Sequence, residues 1–144
     1  LTAQKSRETE GIMPRYVILL HDLTPESTPL GSGRGTHWDL MFEWGETLRT
    51  WAVPRQPSPG KSDQAEQLAD HRLAYLDYEG PVSGNRGHVT RWDQGSYEVL
   101  AELEHELRVR LRGARGLTGL VLQRPPTGDG HFWTVSFSAE PISG

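Results

Sequence analysis

The sequence predicts a mainly β protein, a small closed or nearly closed antiparallel barrel with one or two short helices. Three observations carry that reading. Sixteen Gly and ten Pro among 144 residues demand many turns and short elements. Short apolar runs recur between those turns. Residues 102–112 alternate with a period of two: Leu103, His105, Leu107, Val109 and Leu111 share one side, and Glu102, Glu104, Glu106, Arg108, Arg110 and Arg112 the other. Such alternation is the mark of a half-buried strand. A succession of hairpins leaves sheet edges unpaired, and closure into a barrel removes them.

The elements follow in order. Residues 1–13 lack apolar periodicity and are expected to form a flexible N-terminal arm, with residues 14–144 as a single domain. Residues 15–20 form a first strand, and residues 22–36, rich in Pro, Gly, Ser and Thr, a long loop able to act as a lid. Residues 37–43 are the second strand and residues 48–53 the third, stopped by Pro54. Good helix formers behind a capping Ser62 predict a short helix over residues 62–69. Ser83-Gly84-Asn85-Arg86-Gly87 reads as a tight turn, residues 88–92 as a strand, and Asp93-Gln94-Gly95 as the turn after it. The alternating segment follows, with His105 half-buried on its apolar side. Residues 117–124 then pair back on it, and residues 131–138 form the last strand. Trp38, Trp51, Trp92 and Trp133 are expected in the core or at the barrel's closure. The Arg108, Arg110 and Arg112 stripe is expected to pair with acidic neighbours.

Composition excludes some chemistry. There is no cysteine, so neither disulfides nor thiolate metal sites can form, and a reducing, cytoplasmic setting is the expectation. No apolar run approaches the roughly 20 residues of a membrane span. A net charge of −4 argues against wrapping long duplex DNA, although a local basic patch still suits a strand end.

The chemically informative stretch is His37-Trp38-Asp39. Side chains two apart on a strand share a face, so His37 and Asp39 point the same way. His21, at the end of the first strand, is a third candidate. Two imidazoles and a carboxylate form a common hydrolytic metal set if they converge. Taken alone, the pair is read first as two polar residues on a wet strand face.

His21, His37-Trp38-Asp39, Trp51-Ala52-Val53-Pro54, the stretch from Asp70 through His71 and Tyr75 to Gly80, and Trp92-Asp93-Gln94-Gly95-Ser96-Tyr97-Glu98 occur in that order. Together they resemble the 3′-phosphoesterase module at the N-terminus of bacterial DNA ligase D, across nearly the whole chain. The resemblance implies a metal-dependent phosphoesterase that removes a terminal ribonucleoside or a 3′-phosphate from 3′ ends of DNA or RNA–DNA strands in repair. It implies His21, His37 and Asp39 as ligands for a divalent metal, manganese first and zinc or cobalt as alternatives. His71 and Tyr75 match the family's His-x-x-x-Tyr pair, and Arg55 stands in place of its phosphate-facing cation. A separate ATP-dependent ligase and a polymerase are the implied partners, without a membrane.

The sequence also departs from that pattern. Met41 stands where the family places Arg, Leu19 where it places Gln, and residues 22–36 expand a short connection. Arg34 in that loop is a candidate to restore the lost charge. The alternative function is a catalytically degenerate module of the same fold that binds metal or nucleic acid as an accessory in repair.

Overall fold

The computed structural model describes residues 13–24, 27 and 34–139. Nine strands stand in chain order: β1 (Arg15–Asp22), β2 (His37–Trp44), β3 (Thr47–Val53), β4 (Ser62–Arg72), β5 (Gly80–Pro81), β6 (His88–Leu103), β7 (Glu106–Gly113), β8 (Gly119–Gln123) and β9 (Phe132–Ser138). A single-turn 3-10 helix, Leu73–Leu76, follows β4. The expected arm and most of the expected lid lie outside the described residues.

Eight strands close a ring in the order β1-β2-β3-β4-β9-β8-β7-β6, with β6 returning to β1, and β5 pairs beside the start of β6. Every pairing is antiparallel. The predicted barrel is present, almost without helix. Alternation sorts its side chains: Tyr16, Ile18, Leu40, Phe42, Trp51, Leu107, Val109, Trp133 and Val135 pack together as the interior. The four named tryptophans pack in this core or against it.

The wall is buried on its outer side too, where β1 and β2 pass beneath the segment after β4. Val17, Leu19, Met41, Leu48, Leu76 and Val89 form a second apolar cluster there. Burial on both faces explains why residues 16–20 read as an unbroken apolar run rather than an alternating one.

Four local expectations are corrected. Residues 62–69 are part of β4, not a helix. Their helix propensity is a weak preference, and the flanking strands supply a stronger one. β4 fills the gap between β3 and β9, buries Ala65 inward, and sets Trp133 Nε1 to donate to Gln67 Oε1 at 3.2 Å.

Asp93-Gln94-Gly95 is not a turn. β6 runs through it without a break for 16 residues. Asp93 is buried and works as an acceptor: the Tyr16 hydroxyl donates to its Oδ2 at 2.7 Å, and the Gln94 and Ala114 amides donate to its Oδ1 at 2.9 Å each. Burial and the neighbouring Asp93 carboxylate push the Tyr16 phenol well up. Gly95 lets β7 approach, because a Cβ there would lie 2.0 Å from the Arg112 carbonyl oxygen.

Residues 102–112 are not one strand either. The chain reverses at Glu104-His105, between Leu103 and its partner Glu106. The two-residue turn pairs Leu103 with Glu106 and Glu102 with Leu107, so the faces exchange across it, while the alternation in the sequence continues and disguises the reversal. Leu107, Val109 and Leu111 are buried as expected, but Leu103 is 65% exposed. His105 is exposed at the tip, not half-buried. The arginine stripe is ion-paired: Arg108 with Glu106 at 3.3 Å, and Arg110 with Glu98 at 2.7 Å.

The Gly95→Ala substitution tests the close approach of β6 and β7. The added methyl has backbone in front of it, which cannot rotate away. Urea unfolding is expected to show a loss of about 2–3 kcal/mol; an unchanged midpoint would remove the steric role assigned to this glycine.

Candidate metal centre

β1 and β2 pair so that His21 lies directly opposite His37. Both side chains project from the outer wall, as does Asp39 two residues on. The imidazole centroids are 4.9 Å apart, and one donor atom from each of the three residues lies within 4.8 Å of the others. The convergence that the sequence left open is therefore present.

Each imidazole is held by its far nitrogen. His37 Nδ1 donates to the Gly35 carbonyl at 2.7 Å, and His21 Nε2 donates to the Arg86 carbonyl at 2.7 Å. Those bonds place the proton of each neutral ring on the outer nitrogen. His21 Nδ1 and His37 Nε2 are then left as lone pairs facing the carboxylate, 3.5 Å from Asp39 Oδ2 and 3.0 Å from Asp39 Oδ1 respectively. Asp39 is only 3% exposed, and its Oδ1 is buried without a hydrogen-bond partner. Lone pairs aimed at one another in a dry site call for a shared positive charge.

Protons can supply that charge. Burial disfavours the imidazolium at His21, but hydrogen bonding to Asp39 and to the Arg86 carbonyl outweighs it and raises the pKa above 6.5. Burial likewise opposes the Asp39 carboxylate, and hydrogen bonds from His21 and His37 overcome it, holding the group down at about 2. A divalent cation can supply the charge instead. Two neutral imidazoles and a carboxylate, oriented from behind by backbone carbonyls, fit manganese, zinc or cobalt.

The trio opens on a cavity of about 290 Å3, which Arg34, Met41, His71, Tyr75 and Arg86 also line. His71 comes from the end of β4 and Tyr75 from the 3-10 turn. Their rings meet edge to face at 5.7 Å, and His71 Nδ1 is bonded to the Ala69 carbonyl at 2.9 Å, leaving Nε2 available. Arg34 reaches the cavity while its Nε donates to Glu66 Oε1 at 3.2 Å. Five of the six site residues expected from sequence thus share one cavity.

Arg55 does not. Its side chain is 76% exposed and bound to Asp63 at 2.7 Å, and it is absent from the cavity wall. Arg34 and Arg86 line it instead, the Arg86 guanidinium resting on Ser83, with Nε donating to the carbonyl at 2.7 Å and Nη2 to the hydroxyl at 3.2 Å. Arg86 went unrecognised in sequence because its segment reads only as a turn. The positive φ of Asn85, at 56°, and of the flanking Gly84 and Gly87 is what presents the Arg86 carbonyl to His21. A Cβ on Gly87 would meet the Asp22 carbonyl oxygen at 2.5 Å.

Met41 and Leu19 occupy two of the positions that depart from the ligase D pattern. They lie together in the outer apolar cluster, both essentially inaccessible to water. Of the two, Met41 lines the cavity, which is therefore apolar at that position.

Similarity to known proteins falls on the same residues. The family model of the DNA ligase D 3′-phosphoesterase domain matches residues 32–124. The multifunctional non-homologous end joining protein LigD of Pseudomonas aeruginosa is 31% identical over 104 residues, covering 69% of this chain and 11% of that protein. The multifunctional non-homologous end joining DNA repair protein LigD of Mycobacterium tuberculosis is 32% identical over 71 residues, covering 46% of this chain and 9% of that protein. The chain thus spans about a tenth of the length of these relatives. With the match running through His37, Asp39 and the His71–Tyr75 pair, the chain belongs to the DNA ligase D 3′-phosphoesterase domain family.

Proposed function

We propose that this domain is a metal-dependent phosphoesterase acting on 3′ ends of DNA or RNA–DNA strands, where it removes a terminal ribonucleoside or a 3′-phosphate. The observation that carries the reading is the convergence of one donor atom each from His21, His37 and Asp39 within 4.8 Å, with Asp39 Oδ1 buried 3.0 Å from His37 Nε2. When bound there, a divalent ion polarises a phosphoryl oxygen and lowers the pKa of water. The protein supplies the rest. His21 and His37 present fixed lone pairs. The guanidiniums of Arg34 and Arg86 offset charge on the phosphoryl oxygens. His71 offers Nε2 to a phosphate oxygen or a leaving group, with Tyr75 holding its ring. Manganese suits this donor set, and a separate ATP-dependent ligase and polymerase would take up the trimmed end in end joining. No helix among the described residues is long and apolar enough to cross a membrane.

The apolar side chain of Met41 favours a second reading, an accessory module that keeps the metal and has lost the hydrolysis. One assay separates the two: a primer-template ending in one ribonucleotide or a 3′-phosphate, incubated with Mn2+. The enzyme reading expects shortening by wild type and a loss of about 100-fold or more in His37→Ala. Wild-type protein that binds the ion and leaves every end intact would sink it, and activity gained by Met41→Arg would identify the missing cation as the cause.

The cations can be told apart in the same assay. Arg34→Ala is expected to lose about tenfold or more, and Arg55→Ala to stay within about twofold of wild type. The reverse order would return the phosphate contact to Arg55.

Metal binding should also release protons. His21 carries a raised pKa, so a bound ion must displace its proton, and affinity falls as pH drops through that value. Calorimetry in two buffers of different ionisation enthalpy at pH near 6.5 should show roughly one proton released per ion. Heats that do not depend on the buffer would contradict the ligand assignment at His21.

A further inference from the structure

The cavity over the metal centre is one part of a longer groove across the outer wall. On the β9 side it shares Arg34 and His37 with a neighbouring cavity of about 140 Å3 whose far wall is Phe132. On the opposite side it shares Tyr75 and Val82 with a cavity of about 260 Å3 bounded by Arg72, Tyr78 and Ser83. The two ends are alike in chemistry. Phe132 is 45% exposed at the start of β9, an unusual place to leave a phenyl ring in water. Tyr78 is also exposed, and it is held in place: its hydroxyl donates to the Pro81 carbonyl, its ring meets Tyr75 edge to face at 5.8 Å, and Gly80 makes room for it with φ at 140°.

Charge follows the same line. The Arg72 side chain has no hydrogen-bond or ion-pair partner among the described residues. Arg86 Nε donates to the Ser83 carbonyl at 2.7 Å and has no carboxylate partner among the described residues. The arginine stripe of β7, by contrast, is neutralised by Glu106 and Glu98. Arg34 is itself paired with Glu66 at 3.2 Å, so Arg72 and Arg86 are the groove cations without a carboxylate partner among the described residues.

We propose that single-stranded nucleic acid lies along this groove, its bases stacked on Phe132 at one end and on Tyr78 at the other, and its phosphates passing Arg34, Arg86 and Arg72 on either side of the metal centre. Aromatic rings accept any base by its π-face, and guanidinium groups follow the backbone without reading sequence. The groove therefore recognises a strand and not a particular sequence. It extends the proposed phosphoesterase reading, because it defines how an end would be delivered to His21, His37 and Asp39. It also accounts for strand binding by a chain of net charge −4, since the cations needed are local.

The test is fluorescence anisotropy of the full chain with a labelled, 3′-phosphorylated single strand of about 12 nucleotides, in EDTA and again with Mn2+. Phe132→Ala and Tyr78→Leu are each expected to weaken binding about fivefold or more. Arg72→Gln is expected to lower the salt dependence of the affinity by roughly 0.7 in slope. Phe132→Leu serves as a second variant that keeps an apolar side chain and removes only the ring, and melting curves confirm folding of each. Wild type that fails to bind, or binding by Phe132→Ala and Tyr78→Leu within about twofold of wild type, overturns the groove. Loss of binding in these variants without any hydrolysis by wild type would overturn the phosphoesterase reading and leave the groove standing. Hydrolysis by wild type with both aromatic variants binding normally would do the opposite.

Discussion

A carboxylate buried between two imidazoles is the constraint on which the rest of this structure depends. Asp39 is charged in a place where water cannot reach it, so its stability rests on what His21 and His37 present. The sign of that coupling follows from the two pKa shifts. The depressed Asp39 carboxyl contributes stability above its ordinary value of 3.8, and that contribution is lost as pH falls towards 2. The raised His21 imidazole contributes below 6.5, and loses its contribution as pH rises through its folded-state value. The metal-free centre is therefore most comfortable between those limits. Above them the lone pairs face each other without a proton, which is the condition in which a cation gains most by binding. A cation at this site would compete with the His21 proton and would therefore bind more tightly as pH rises.

That arrangement requires the outer wall of the barrel to be more than a wet surface. Donor orientation comes from two carbonyls, one in the strand approach at Gly35 and one in the turn at Arg86, and both are backbone atoms carried by segments packed on β1 and β2. The apolar cluster of Val17, Leu19, Met41, Leu48, Leu76 and Val89 seats the 3-10 turn and the start of β6 against the wall. Met41 and Leu19 change meaning in this light. Considered singly, each is a lost polar group. Considered together, they are neighbours in one dry patch, where a lone arginine would need a buried partner that its neighbour Leu19 cannot provide. Two departures from the family pattern thus form one consistent substitution of packing for polar groups, only one of them charged. The charge itself is kept elsewhere in the cavity lining, by Arg34 and Arg86.

Much of this was legible in the chain. The period of two places His37 and Asp39 on one face wherever that strand lies, and the order of motifs supplies His21, His71 and Tyr75. The barrel follows from turn density and alternation. What escaped did so for physical reasons. Residues 62–69 favour helix locally, and only the open edges of β3 and β9 make them a strand. Asp93-Gln94-Gly95 has turn composition, yet the three residues serve a buried acceptor and a close strand approach that appear only once β7 is alongside. Arg55 follows a recognisable motif, but adjacency in sequence does not say which way a loop side chain turns, and its salt bridge to Asp63 takes it outward. The carbonyls of Gly35 and Arg86 have no side-chain signature at all.

Geometry connects these misses to function. Had residues 62–69 formed a helix, β3 and β9 would have lacked the strand that joins them, and the outer wall would have ended short of Phe132. With β4 in place, Gln64 and Glu66 continue the surface from β2 and β3 towards β9, and His71 at its far end turns into the metal cavity. One strand therefore does two jobs: it closes the ring, and it carries the groove past the metal centre. The β-bulge in its pairing with β3, between Leu48 and Thr50, shifts the register before His71, so that Gln64, Glu66 and Leu68 share the outer face and His71 reaches it despite lying three residues beyond Leu68. A regular strand would send residue 71 to the opposite face from residue 68. The bulge is thus what permits a histidine on β4 to join two histidines from β1 and β2, and the catalytic reading depends on this irregularity as much as on the ligands themselves.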